Sequence, residues 1–378
     1  MIFKRTIQTK IEQWFFKKKI IIIYGARQVG KTTLVKKIAA DYGQDFLYMD
    51  CDLISNREVL QVQEAQRLQN FIGQHKLLII DEAQRVQNIG LTLKILHDHF
   101  PDLQIIATGS SSFDLSNKIS EPLTGRAIKF MLYPISITEL NQQYNRLELQ
   151  ARLEIMLRYG LYPEIVDKSA NQARELLAML SGNYLYKDIL EFEQIKKSDL
   201  LIKLLQLLAL QLGSQVSYHE LAVTLGVNQN TIRRYIDLLE QSFIIFRLTS
   251  FKRNLRAELG KSFKIYFYDL GIRNSLINNF NYLELRTDTG GMWENFCIVE
   301  RLKRNNNIRR FANPYFWRTY KQKELDYVED RDGKLFAFEF KWNPKAKVKR
   351  PKPFFEAYPN SAFTVVHREN FLQTLLAD

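Results

Sequence analysis

The stretch Ile20-Ile21-Ile22-Ile23-Tyr24-Gly25-Ala26-Arg27-Gln28-Val29-Gly30-Lys31-Thr32-Thr33 runs straight into Leu34-Val35-Lys36-Lys37-Ile38. An apolar run, a glycine-flanked loop and a helical pattern follow one another without a gap. The spacing G-x-x-x-x-G-K-[ST] is filled at Gly25, Gly30, Lys31 and Thr32. Two glycines let a backbone wrap a phosphate chain, the loop N–H groups point inward, and the helix N-terminus adds partial positive charge. In such a loop the lysine reaches the β- and γ-phosphates and the Thr hydroxyl ligates Mg²⁺. Gly25, Arg27, Gln28, Val29, Gly30, Lys31, Thr32 and Thr33 are therefore the expected nucleotide-binding set. The stretch predicts a nucleoside triphosphate site.

Working outward, Phe46–Asp50, Leu77–Ile80 followed by Asp81-Glu82, Leu103–Ser110 and Ala127–Leu132 read as further strands. Ser55–Phe71 reads as a polar helix between them. Strands alternating with helices at this spacing predict an α/β fold with a parallel, doubly wound sheet. Ligands of such sheets sit at the carboxyl ends of the strands, where Asp81, Glu82, Thr108 and Ser110 fall. Four apolar residues directly before Asp81 place it at the exit of a buried strand. It is expected to hold Mg²⁺ together with Thr32. Glu82 suits the base that orients or activates an attacking water. Residues 1–19, with Ile7, Ile11, Trp14 and Phe15 at helical spacing, read as an entry helix that packs on this core.

Composition narrows the class. The 378 residues suffice for about two to three domains, and 46% hydrophobic with 25% charged residues is ordinary for a soluble globular chain. No apolar run approaches the roughly 18 residues that span a bilayer, and the N-terminus lacks a signal-peptide core. Cys51 and Cys297, the two cysteines, make neither a disulfide framework nor a metal cluster, so a reducing cytoplasm is the expected compartment. The net charge of +13 suits a polyanionic partner.

Three motifs together, Gly25-Ala26-Arg27-Gln28-Val29-Gly30-Lys31-Thr32, Asp81-Glu82-Ala83-Gln84 and Thr108-Gly109-Ser110-Ser111, resemble those of AAA+-type ATPases. The resemblance is to bacterial and archaeal single-chain members of that group. It implies ATP and Mg²⁺ as cofactors and a sensor-1 role for a polar residue at Thr108 or Ser110. It also implies that Arg126, just before the fourth of these further strands, acts either as an arginine finger on a neighbouring subunit's nucleotide or as an ordinary loop-bracing arginine. A finger in trans calls for a homo-oligomer, a hexameric ring being one form, while a monomeric switch remains open. Gly160-Leu161-Tyr162-Pro163-Glu164 resembles a further motif of the same group. The expected division is an ATPase core over 1–138, a helical lid over 139–197, and two more units over 198–250 and 251–378.

The third unit opens with a Leu-rich amphipathic helix over Ser198–Leu212. Ser217-Tyr218-His219-Glu220 then reads as a capping box for a helix that stops at Gly226. Asn228 can cap the next helix, Gln229–Gln241, whose polar face presents Gln229, Asn230, Arg233 and Arg234. With the strand Phe243–Leu248 and the basic turn Phe251–Asn254, the set looks like a winged helix-turn-helix. Amide and guanidinium groups on its third helix suit base edges and phosphates, although such modules also bind proteins. In the last unit, Glu294 lies on an expected helix running to Lys303, Asp326 on a strand, and Glu339-Phe340-Lys341 on another. Period-two alternation puts Glu339 and Lys341 on one strand face. The set resembles a PD-(D/E)XK nuclease core. That resemblance implies Mg²⁺ on the carboxylates and Lys341 steadying the attacking water or the phosphate. Lys345, Lys347, Lys349 and Arg350 follow as a backbone track.

The reading is an Mg²⁺-dependent ATPase that binds duplex or branched DNA and couples ATP turnover to its remodelling or translocation, with no membrane partner. Two alternatives stand beside it: an ATP-regulated, metal-dependent nuclease, and a nucleotide-operated signalling or scaffold ATPase whose winged helix binds protein.

Overall fold

A computed structural model describes residues 3–43, 45–109, 123–184, 198–252, 263–319 and 323–376. Contacts divide the chain into two compact units, one of Lys4–Pro134 with Gln241–Phe243, the other of Met1–Phe3, Ile135–Glu240 and Ile244–Asp378.

In the first unit, α1 (Gln8–Glu12) precedes β1 (Ile20–Tyr24), α2 (Lys31–Tyr42), β2 (Phe46–Asp50), α3 (Ile54–Gln61) and α4 (Ala65–Ile72). Then come β3 (Leu77–Asp81), α5 (Ile89–His99), β4 (Gln104–Gly109) and β5 (Ala127–Met131). The five strands form one parallel sheet in the order β2-β3-β4-β1-β5. Ile20–Ile23 and Leu77–Ile80 are buried at 1% exposure or less, as expected of strands covered on both faces. One apolar cluster gathers Ile22, Leu78, Ile80 and Ile105 with Leu93 and Leu96 of α5. Burying a side chain of this size contributes roughly 1.5–3 kcal/mol, so the central strands are the stable part of the unit. The polar helix expected over Ser55–Phe71 is two helices, because Val62 and Glu64 are extended between α3 and α4. The entry helix is also shorter than its spacing suggests. It ends at Glu12, Phe16 and Lys18 turn at positive φ, and Trp14 stays partly exposed.

The second unit begins with α6 (Ile137–Leu140), α7 (Arg146–Ala151), α8 (Leu153–Tyr159) and α9 (Ala170–Met179). Within the helical lid expected over 139–197 the chain stops at Leu140 and restarts at Arg146, where Asn145 forms a capping box with Glu148, as Ser136 does with Glu139 at the start of α6. Next are α10 (Ser198–Leu210), α11 (Tyr218–Leu225), α12 (Gln229–Gln241), β6 (Ile245–Ser250) and β7 (Phe263–Phe267). The chain finishes through α13 (Leu270–Leu276), α14 (Thr289–Asn307), β8 (Asn313–Arg318), β9 (Glu324–Arg331), β10 (Lys334–Lys341), α15 (Lys352–Ala357), β11 (Ala362–His367) and α16 (Phe371–Leu376). Ser217 caps α11 on the N–H of Glu220, and left-handed Gly226 ends it. Asn228 accepts the N–H of Asn230 at the start of α12.

The six-stranded sheet runs β11-β10-β9-β8-β6-β7. β6, the strand expected to close a winged helix, pairs antiparallel with β7 and parallel with β8, and is thereby a member of this sheet. The second half of the wing's turn, residues 253 and 254, lies outside the described residues.

Gly160 now has a physical reason. Its φ is +74°, and a Cβ there would stand 2.0 Å from Asp269 Oδ1. That buried carboxylate accepts the N–H groups of Leu161 at 2.7 Å, Gly271 at 2.8 Å and Ile272 at 3.2 Å. It thus joins the end of α8 to the start of α13. Ile135 N–H donates to Leu161 at 2.9 Å, and Lys303 Nζ donates to Ile135 at 2.8 Å.

Candidate functional site

The phosphate loop spans the six residues between β1 and α2, at the carboxyl end of the sheet. Its close packing depends on glycine: a Cβ on Gly25 would lie 2.1 Å from the carbonyl oxygen of Leu132. Gln28 and Gly30 take φ of 59° and 95°, which turns the loop onto the N-terminus of α2. Arg5 donates to the carbonyls of Val29, at 2.7 Å, and Tyr133, bracing the loop from behind. Lys31 is 4% exposed, and its ammonium donates to the carbonyls of Gly25 and Ala26, each at 3.0 Å. Arg27 is half-buried, while Gln28 and Thr33 are exposed.

Asp81 is the hub. Because β4 lies between β3 and β1, the carboxyl ends of all three strands converge on it. Its Oδ2 accepts the Thr32 hydroxyl at 2.7 Å and the Tyr48 phenol at 2.6 Å, and its Oδ1 accepts the Thr108 hydroxyl. Thr108 in turn accepts the backbone N–H of Glu82 at 3.1 Å. Glu82 stands at φ 51°, its side chain partly exposed and taken by the Gln84 amide. A hard cation is suited by this donor set: a carboxylate and hydroxyl oxygens at the mouth of a glycine loop. Burial, then the hydrogen bond to Asp81, raises the Tyr48 phenol well above its ordinary range, so it stays a proton donor. Burial and the neighbouring Asp50 and Asp81 push the Cys51 thiol up to about 12, which leaves it unreactive.

Ser110, the alternative to Thr108, lies outside the described residues. Arg126 is at the amino end of β5, one strand length (roughly 15 Å) from the loop. There it makes a bidentate pair with Asp98 at 2.8 and 3.0 Å. The pairing with Arg126, and then His97, holds the Asp98 carboxyl below the usual carboxylate range. Tyr48 and Arg5 carry no motif signal, and only the parallel register of β2 on β3 and the packing of the N-terminal segment reveal them.

In the second unit Glu294, Asp326, Glu339 and Lys341 come together from α14, β9 and β10. Lys341 Nζ is 2.7 Å from Glu339 and 3.7 Å from Asp326, and Asp326 accepts the N–H of Phe340 at 2.8 Å. Three residues absent from the sequence reading join them. Lys264 of β7, 3% exposed at its side chain, lies 3.0 Å from Glu294 and 2.7 Å from Glu324, and Tyr266 donates to the same oxygen of Glu294. Burial, and then the charge of Asp326, raise the Glu294 carboxyl to about 7; burial also raises Asp326 and Glu339. Burial opposes the Lys264 charge, but the Glu294 and Glu324 carboxylates more than offset it. Among the described residues, no group of three or more His, Cys, Asp or Glu side chains is arranged to hold a metal ion.

Along α12, Ile232, Tyr235, Ile236, Leu238 and Leu239 are buried, and Gln229, Asn230, Arg233 and Arg234 are exposed. The Arg233 guanidinium lies 5.4 Å from the centre of the Tyr218 ring. Lys345, Lys347, Lys349 and Arg350 are exposed after β10.

Residues 17–141 match a model of an AAA domain. Residues 150–283 and 289–375 match two domains of unknown function, DUF8612 and DUF4143. An uncharacterized protein of Mycobacterium tuberculosis is 26% identical over 354 residues, covering 93% of this chain and 76% of its own. One from Methanocaldococcus jannaschii is 26% identical over 301 residues, covering 69% and 63%. Among solved structures, the Thermotoga maritima RuvB Holliday junction branch migration motor is 19% identical over 64% of this chain and 87% of that one, with a TM-score of 0.33. The Pif1 helicase of Candida albicans is 14% identical over 48% of each, with a TM-score of 0.28. Superpositions that loose say nothing about a shared activity. The sheet, its glycine loop and the match over residues 17–141 together support a P-loop AAA+ ATPase fold.

Proposed function

We propose that the chain binds and hydrolyses ATP at Gly25–Thr33 and couples turnover to the binding and remodelling of DNA. The observation that carries the ATPase reading is the convergence on Asp81 of Thr32 from the loop and Thr108 from β4. Thr32 and Asp81 would hold Mg²⁺, which would supply positive charge against the phosphates. The loop N–H groups and Lys31 cradle the phosphates. Glu82, beside the hub and partly exposed, orients the water, and Thr108 ties its backbone to Asp81. The DNA half of the reading is supported by the +13 charge, the exposed amides and guanidinium groups of α12, and the basic run after β10. In this reading the nuclease-like core is a binding module, and Arg126 acts on a neighbouring copy's nucleotide once its pair with Asp98 opens.

The test is the ATPase rate with and without duplex, single-stranded and four-way-junction DNA, with Glu82→Gln as control. We expect stimulation by at least one DNA and its loss in the control. ATP turnover indifferent to every DNA would sink the coupling and favour the protein-binding switch.

A further inference from the structure

We infer that Lys264 serves as a built-in cation in the carboxylate cluster of the second unit, so that this cluster takes no divalent metal and cuts no DNA. The inference goes beyond the ATPase reading and stands independently of it, since every residue involved belongs to the second unit.

A metal-dependent phosphodiester cleavage site needs carboxylates with free lone pairs facing a shared, accessible point. Here one oxygen of each candidate ligand is already engaged. The Lys264 ammonium bridges Glu294 and Glu324 at 3.0 and 2.7 Å from a side chain only 3% exposed. Tyr266 donates to the same Glu294 oxygen that Lys264 contacts, so that oxygen has two donors. Asp326 takes the Phe340 N–H on Oδ2, the oxygen that also faces Lys341. Glu339 holds Lys341 at 2.7 Å. The lysine that the nuclease resemblance assigns to water or phosphate is therefore paired within its own strand. A fixed ammonium between two carboxylates repels a divalent ion and occupies one oxygen of each. Lys264 is itself locked by sheet geometry. It lies on β7, the edge strand paired with β6, and its ammonium also stands 5.5 Å from the centre of the Phe316 ring. Glu324 is held from its other side by Arg318, whose Nε lies 3.5 Å from Oε2.

The experiment is a Mn²⁺ titration of the full chain without nucleotide, read by the loss of the free-ion electron paramagnetic resonance signal. Asp81→Asn serves as the background that removes the phosphate-loop metal site. In that background no Mn²⁺ should bind at sub-millimolar concentration. Adding Lys264→Met should create a site at least tenfold tighter, and adding Glu294→Gln should remove it again. A Mn²⁺ site in the Asp81→Asn chain that disappears with Glu294→Gln or Asp326→Asn overturns the inference. So does a folded Lys264→Met chain that gains no affinity. Should Lys264→Met fail to fold, the titration of the Asp81→Asn chain still decides, since a Glu294-dependent site refutes the inference and no site upholds it. Incubation of the wild type with duplex and branched DNA in Mg²⁺ or Mn²⁺ gives a second readout. No cleavage is expected, and cleavage lost in Asp326→Asn refutes the inference.

Discussion

At the scale of single residues, Asp81 shows how one carboxylate organises a site. It accepts three hydroxyl groups, and only Thr32 and Thr108 come from motifs legible in the chain. Tyr48 is the third. Losing its phenol in Tyr48→Phe frees one lone pair of Oδ2 and lets the carboxylate turn. We expect the Mg²⁺ concentration for half-maximal ATPase to rise about three- to tenfold, on the order of one hydrogen bond. Nucleotide affinity without Mg²⁺, measured with a fluorescent ADP analogue, should not change. Glu294 supplies a pH signature. An ordinary glutamate titrates near 4.5, and burial with the nearby Asp326 lifts this one to about 7. Between those values the folded chain keeps a proton that the unfolded chain has lost, so this residue's contribution to stability is present at low pH and is lost as pH rises through about 7. Asp288 and Glu329 are shifted the opposite way, so the comparison is made against a variant. Glu294→Gln should remove on the order of 1–3 kcal/mol of the fall in unfolding free energy between pH 5 and 8. Denaturant melts at the two pH values check it.

At the scale of elements, the joint between α8 and α13 accounts for a motif that had no visible role in the sequence. Gly160 is held at positive φ against the Asp269 carboxylate, and Gly271 is pressed against the carbonyl of Tyr159, with room for no Cβ at either. Gly160→Ala combines a disfavoured backbone conformation with a clash against a buried carboxylate. It should destabilise the second unit by roughly 2–4 kcal/mol, read as a lowered urea midpoint. Asp269→Asn would keep the shape but replace one acceptor oxygen by a donor facing backbone N–H groups, and should cost a similar amount. The cap of α11 is a milder case. Ser217→Ala removes one acceptor for the Glu220 N–H and should cost about 1 kcal/mol. The helices of 139–180 were harder to delimit from the chain. Apolar residues lie on both sides of Asn145, and the capping geometry shows where the helix restarts.

At the scale of the whole molecule, a charge of +13 matters through where it is displayed. Lys345, Lys347, Lys349 and Arg350 are exposed within six residues of chain, so they suit phosphates without regard to base sequence. Replacing Lys345, Lys347 and Lys349 by Ala should weaken DNA binding to every sequence equally and reduce the slope of log affinity against log salt by about 3. Arg233→Ala on α12, by contrast, should change the preference among DNA structures or sequences as well as the affinity. Anisotropy titrations at several salt concentrations separate the two.

The chain by itself determined the nucleotide loop, the carboxylate that follows a buried strand, and the parallel sheet between them. Those features depend on local spacing: glycines where the backbone must wrap a phosphate, four apolar residues where a strand is covered on both faces, and a polar residue where that strand exits. The residues of the second cluster, Glu294, Asp326, Glu339 and Lys341, were implied by the resemblance to a PD-(D/E)XK core, and periodicity added only that Glu339 and Lys341 share a strand face. What those residues do to one another was decided only by tertiary structure. Lys264 precedes Glu294 by thirty positions and Glu324 by sixty, and no local pattern joins them. The pairing arises because β7 closes the sheet beside β6 and brings its lysine under α14, where burial turns distant charges into partners.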